Sequence, residues 1–214
     1  MVNTMKHFKH LLFLSILCSL VLFTNCGEGI SIGDYHQGGI VFYIFEKGDA
    51  GYVAGEVHGL IADPNDLSSS ADWNVCYGTK ITGAKGYEIG RGNKNTQVIL
   101  TQCKNRSQFS KDQSAAELCN NSDTRGYHDW FLPSMEELQT MYKNIGQGNE
   151  YGLGNIGEFN AEKKYCSSSL VDYVESNRQS YGSESDIWSI DFSTGDNYNW
   201  SDSFSYAVRA IRAF

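Results

Sequence analysis

The last nine residues, Tyr206 to Phe214 (YAVRAIRAF), limit the possible folds more than any other segment. Divided by the two-residue period of a strand, one face carries Tyr206, Val208, Ala210, Arg212 and Phe214, and the other Ala207, Arg209, Ile211 and Ala213. Both faces are apolar and each holds one arginine. The pattern predicts a central strand covered on both sides, with both arginines paired to carboxylates, because an unpaired buried cation is costly. A second strand signal stands near residue 38. Gly38-Gly39 opens IVFYIF, rich in β-branched and aromatic residues. After a turn at 46–49, Gly51–Gly55 and Gly59–Ala62 read as further strands of a meander.

Helical signals lie between these ends. Residues 63–94 are polar and Gly-rich and predict a long ordered loop with Trp73 as an aromatic anchor. A helix is expected from Asn95-Thr96, with Thr96 as N-cap, and a short one over Gln113–Asn120. Ser134-Met135-Glu136-Glu137 is a capping box behind Pro133, and Met135, Leu138, Met141 and Tyr142 share one helical face. That helix is expected to stop at Gly146 through a left-handed glycine. Residues 144–158 read as a loop. Strands follow at 165–169 and 187–192, with a turn at 193–196 and a polar loop at 195–202.

The N-terminus is of another kind. Lys6, Lys9 and two histidines precede a 13-residue apolar run, Leu11 to Phe23. This is shorter than the roughly 20 residues of a spanning helix and has the form of a secretory signal. It ends in Phe23-Thr24-Asn25-Cys26, which resembles a bacterial lipobox with Asn25 in the place of a smaller residue. The expected organisation is a signal peptide over 1–25, a lipidated Cys26, a tether to residue 36 and one domain over 37–214. The bilayer is then a partner through the acyl anchor, and the location is the cell envelope, outer membrane or cell surface. Loss of residues 1–25 removes two lysines and no acid, so 15 basic residues face 25 acidic ones and the charge moves from −8 to −10. Such a balance disfavours nucleic acid as a partner.

Of six cysteines, Cys76, Cys103, Cys119 and Cys166 remain in the expected domain. Their spacing matches no CxxC metal pattern. Four cysteines in an oxidising compartment allow three connectivities, with free buried thiols as the alternative. Pairing Cys103 with Cys119 would close a 16-residue loop and contribute about 3 kcal/mol.

The order of the segments is itself distinctive. GGIVFYI, GLIA, Trp73 with Gly78-Thr79, Asn95-Thr96 and SAAELC come first. The block Gly126-Tyr127-His128-Asp129-Trp130-Phe131-Leu132-Pro133-Ser134 follows, with Glu137-Leu138 and Met141-Tyr142, then CSSS and VRAIRAF. Over residues 36–214 the chain resembles domain of unknown function 1566, the C-terminal domain of the Legionella collagen-like adhesin. The resemblance implies an α+β, C-type-lectin-like fold, similar to the formylglycine-generating-enzyme family. An antiparallel sheet would be closed by the N- and C-terminal strands, with two to three helices and long ordered loops. It also implies an adhesin-type role. Sulfated glycosaminoglycan binding, associated with that adhesin, uses basic surface, and a charge of −10 is the opposite.

No nucleophile elbow, phosphate loop, HExxH motif or dinucleotide fingerprint occurs, and no cofactor, metal or catalytic residue is assigned. His128-Asp129 is read as structural. Cys166 stands alone, without the paired cysteine of the formylglycine-generating enzymes. The candidate contact residues are Asp196, Asn197, Tyr198, Asn199 and Trp200, where an aromatic ring could stack on a sugar face while amides and a carboxylate take hydroxyls. The expected function is non-enzymatic, lectin-like binding of a glycan or host matrix component. The alternatives are a structural envelope or assembly protein without a small ligand, and an enzyme on the formylglycine-generating scaffold.

Overall fold

The computed structural model of the chain describes residues 29–73, 81–104, 113–171, 186–202 and 204–214. Its architecture is α+β. One four-stranded sheet is formed by β1 (Tyr35–His36), β2 (Gly39–Ile44), β3 (Gly59–Ala62) and β9 (Ile211–Ala213), in the order β1-β2-β3-β9. A five-stranded sheet is formed by β4 (Ser68–Asp72), β5 (Lys164–Leu170), β6 (Asp186–Asp191), β7 (Asn197–Ser201) and β8 (Ser205–Val208), in the order β4-β8-β5-β6-β7. Strand pairs are antiparallel except β5 with β8. The first and last described strands share a sheet, but they form its two opposite edges and do not pair, so the sheet is open and is not closed by them as the resemblance implied.

The C-terminal run is not one strand. It divides at Arg209–Ala210 into β8 and β9, one in each sheet. Residues 59–72 divide at the matching place: β3 pairs with β9 and β4 with β8. The two segments thus make one antiparallel ribbon, bent where Asp63–Leu67 faces Arg209–Ala210. Hydrogen bonds from the Asp63 and Leu67 N–H groups to the carbonyls of Ala210 (2.9 Å) and Val208 (2.8 Å) carry the pairing through the bend. Arg209, 1% exposed, fills the inside of it. Its Nε donates to Asp66 (2.7 Å), and one terminal nitrogen donates to the carbonyls of Asp63 (2.7 Å) and Gly157 (2.8 Å). Its guanidinium lies 4.2 Å from the centroid of Phe159. The two-residue period could not show this, because a buried arginine satisfied by backbone carbonyls looks the same in sequence whether the strand continues or turns.

Three α-helices flank the larger sheet: α1 (Gly92–Gln102), α2 (Ala115–Asn120) and α3 (Met135–Ile145). One core holds Tyr165, Ile190, Ala207 and Phe192 with Met135, Leu138, Met141 and Ile145 of α3. The other holds Cys166, Ile187, Tyr206 and Val208 with Ile99 of α1 and Ala115, Ala116 and Cys119 of α2. Alternate residues of β5, β6 and β8 serve opposite cores, so the sheet is covered on both faces.

Several local expectations change. The expected strand Gly51–Gly55 is a loop, with φ of +110° at Gly51 and +84° at Gly55. β4 lies inside the expected 63–94 loop. Helix α1 begins three residues before Asn95, and Thr96 is an interior residue whose hydroxyl bonds the carbonyls of Gly92 (2.8 Å) and Leu132 (3.2 Å). Gly146 ends α3 in an extended conformation (φ −98°, ψ −162°), not a left-handed one. Within the expected tether, Ile30 and Ile32 pack against the cores, and β1 pairs with β2.

The capping box of α3 forms, and it reaches further than its own helix. Glu137 accepts from the Ser134 N–H (2.7 Å) and the Gly90 N–H (2.8 Å), while Glu136 accepts from the Ile89 N–H (3.0 Å). The segment before α1 is thereby clamped to the start of α3. A Cβ at Gly92 would collide with the Glu137 carboxylate and the Leu132 carbonyl. Glu137 is fully buried, and that burial pushes its carboxyl up to about 7 against the backbone donors that favour its charge.

Two outcomes follow for stability. Removing Arg209 by Arg209→Met should cost about 3–5 kcal/mol in chemical denaturation. Adding Asp66→Asn should make the double variant less destabilised than the sum of the single variants. Glu137 has a folded value above its unfolded 4.5, so its contribution is full below pH 4.5 and is lost as the pH rises through about 7. The stability of wild type relative to Glu137→Gln, measured by urea titration, should therefore fall between pH 4.5 and 8, by an amount on the order of 3 kcal/mol.

Candidate functional site

The segment expected as a polar loop at 195–202 holds an edge strand. β7 pairs with β6 at every position from Ile190↔Asn197 to Asp186↔Ser201. Pleating then separates the expected contact residues. Tyr198 and Trp200 stand on one face beside their cross-strand partners Ser189 and Ile187, and Asn197, Asn199 and Ser201 stand on the other. The aromatic face is the one that α1 and α2 cover over the sheet's centre. At its margin Trp200 is 46% exposed, and Phe204, just beyond β7, is 52% exposed.

These rings form a row. Tyr198 and Trp200 lie 6.4 Å apart between centroids, and Phe204 meets Trp200 edge-on at 5.7 Å. At the Tyr198 end the Lys164 ammonium sits 3.7 Å from the ring centroid and pairs with Asp191 at 2.9 Å. Asp191 also accepts from the backbone and hydroxyl of Ser193. The Ser193 hydroxyl, and after it the Lys164 ammonium, hold its carboxyl below the usual carboxylate range. Asp196 belongs to the β6–β7 turn, where its carbonyl accepts from the Asp191 N–H (3.0 Å) and its side chain is exposed. The structure therefore brings Tyr198 and Trp200 together with three residues that the sequence reading did not select: Phe204, Lys164 and Asp191. Lys164 stands two positions before Cys166 on β5, so strand alternation was the one available signal for it.

The other sequence candidates resolve differently. Cys26 lies outside the described residues. Cys103 is disulfide-bonded, but not to Cys119. Cys119 is a buried free thiol at the end of α2, and Cys166 is another on β5. The expected Cys103–Cys119 bridge is corrected accordingly: Cys119 is turned into the core shared with Cys166. Burial pushes Cys166 up to about 12 and Cys119 well above its ordinary value, which suppresses the nucleophilic thiolate. Asp129 does not orient His128 as a base. It takes two hydrogen bonds from Arg212, at 2.6 and 2.9 Å, which hold its carboxyl below the usual range. Among the described residues, no three His, Cys, Asp or Glu side chains converge as a metal site, and no helix is long and apolar enough to cross a membrane.

An α+β framework with an aromatic row at one sheet margin is the setting in which the comparisons fall. The chain is an adhesin-related domain. Residues 65–212 match the family described as the Lcl C-terminal domain, that of the Legionella collagen-like adhesin, and the chain belongs to this family. No curated protein matches it. The motifs behind the resemblance prove to be framework. In the CSSS run the Ser168 hydroxyl bonds the Pro133 carbonyl (3.0 Å) and the Ser169 hydroxyl the Gly86 carbonyl (2.6 Å). Arg212 ties the last strand to Asp129.

Trp200→Ala should leave the denaturation midpoint nearly unchanged, within about 0.5 kcal/mol, since the ring is half in solvent. Cys119 and Cys166 should resist a thiol reagent in the native protein and react once it is unfolded in denaturant.

Proposed function

We propose that this chain is a non-enzymatic recognition domain of the cell surface, with a C-type-lectin-like framework, which binds a glycan or a host matrix component through the Tyr198–Trp200–Phe204 row. The observation that carries the reading is the exposure of two large aromatic rings, edge to face, one on the paired strand β7 and the other just beyond its end. Rigid rings in such a row offer flat apolar faces to the C–H faces of successive sugars at low entropic cost. Lys164, Asp191 and the Asp196 carboxylate supply polar groups at the rim. In this reading Asn197 and Asn199, on the opposite face, brace the strand and do not touch the same ligand.

Membership in an adhesin family supports the binding role and the absence of catalysis. The presence of the first and last described strands in one sheet supports the lectin-like comparison. The N-terminal sequence supports a signal peptide over 1–25, a lipid-bearing Cys26 and presentation of the 37–214 domain from a bilayer. A protein partner adding a strand along the outer margin of β7 is the second reading, favoured by the place of β7 at the end of the sheet order.

Glycan and matrix-protein arrays, probed with wild type and with Trp200→Ala/Phe204→Ala, test the proposal. Capture of a glycan or matrix component that falls about tenfold or more in the double variant is the expected result. Silence of the wild type on every array would sink the binding role, and undiminished capture by the variant would move it to the second reading.

A further inference from the structure

A recess of about 330 Å³ opens between β4 and the start of α2, lined by Leu67, Ser68, Ser70, Asp72, Gln113 and Leu118, with Ala71 in its wall. It is at the small end of the roughly 300–1,000 Å³ of small-molecule sites. Its chemistry is mixed in a particular way. Leu67 and Leu118 are half-buried against the core and make an apolar floor. Around them stand two hydroxyls, one carboxylate and one amide. Among the described residues the lining contains no lysine, arginine or histidine.

Part of this polar set is engaged within the protein and part is not. Ser68 Oγ accepts from the Ser70 N–H (3.1 Å), and Asp72 Oδ1 accepts from the Ser205 hydroxyl (2.7 Å). The second oxygen of Asp72, the Ser70 hydroxyl and the Gln113 amide hold no partner among the described residues. They offer acceptors and donors above an apolar floor, the complement of a sugar ring with hydroxyls at its rim and C–H groups on its face.

The recess also has a fixed relation to the aromatic row. Asp72 is the register partner of Ser205, and Ser205 directly follows Phe204. We infer that the β4–α2 recess is a second subsite of the same surface, binding a single neutral, hydroxyl-rich sugar residue while the aromatic row carries the rest of the chain. The inference rests on the glycan reading above and narrows it. With one carboxylate and no cation among the described lining residues, the recess favours uncharged sugars over carboxylated or sulfated ones, which would lie beside Asp72.

The test is an NMR titration of the isotope-labelled chain with the methyl glycosides of galactose, glucose, mannose and N-acetylglucosamine, and with glucuronic acid. The backbone amides of Ser70 and Asp72 and the Gln113 side-chain amide are followed, with tryptophan fluorescence in parallel. At least one neutral glycoside should move the recess signals, and glucuronic acid should bind about tenfold more weakly. Gln113→Ala, outside α2, and Asp72→Ala should each raise Kd for that glycoside, the latter about tenfold. Lys143→Ala, an exposed substitution in the last turn of α3, should leave it within about twofold. Unmoved recess signals with every neutral glycoside, or equal binding of glucuronic acid, would overturn the inference. If the arrays still show capture that depends on Trp200 and Phe204, only the recess falls. If both are silent, the parent reading falls too.

Discussion

The buried guanidinium of Arg209 is the contact on which the arrangement of both sheets depends. It sits where two antiparallel segments bend together, and it binds Asp66, the Asp63 carbonyl and the Gly157 carbonyl at once. A cation this deep is tolerable only because every donor direction it uses ends on an oxygen and a ring covers its face. Asp66 is in turn bonded by the Tyr165 hydroxyl at 2.7 Å, which links the bend to β5 in the middle of the larger sheet. Take away the guanidinium and three oxygens that face one another are left without a donor.

A second polar network does for the helices what Arg209 does for the sheets. Glu137 and Glu136 gather N–H groups from the segment before α1. Ser167, Ser168 and Ser169 carry that tie into β5 through the carbonyls of Trp188, Pro133 and Gly86. Asn95 of α1 joins at Gly86, with a 2.6 Å bond to the same carbonyl. A run of three serines in a buried strand would be costly without these partners. It functions as a set of short pegs joining loops that have little apolar surface of their own. The framework so fixed carries the aromatic row at the far margin of the sheet, where Trp200 and Phe204 are about half exposed.

Much of this was legible along the chain. The capping box of α3, the short helix before Asn120, the Gly38–Gly39 strand and the pairing of both C-terminal arginines follow from local spacing and side-chain chemistry. The Tyr198 and Trp200 pair could be picked out by type. What was missed is instructive in each case. Thr96 reads as a cap, yet its hydroxyl bonds back within the helix, because the Gly92–Glu137 approach starts α1 earlier. Cys119 reads as half of a bridge, yet helix α2 turns it inward. Asn197 and Asn199 read as partners of Trp200, yet a strand places neighbours in sequence on opposite faces.

The sequence by itself determined the class of element at each end, the N-terminus of α3 and the presence of aromatic residues near the chain's end, because these depend on contacts within a few residues. Only the tertiary structure decided where the last segment bends, which cysteines stay free and which side chains share a surface with Trp200. Those outcomes depend on groups far apart in the chain, such as Arg209 with Gly157 or Lys164 with Tyr198, and no local period encodes which distant oxygen or ring a side chain will meet.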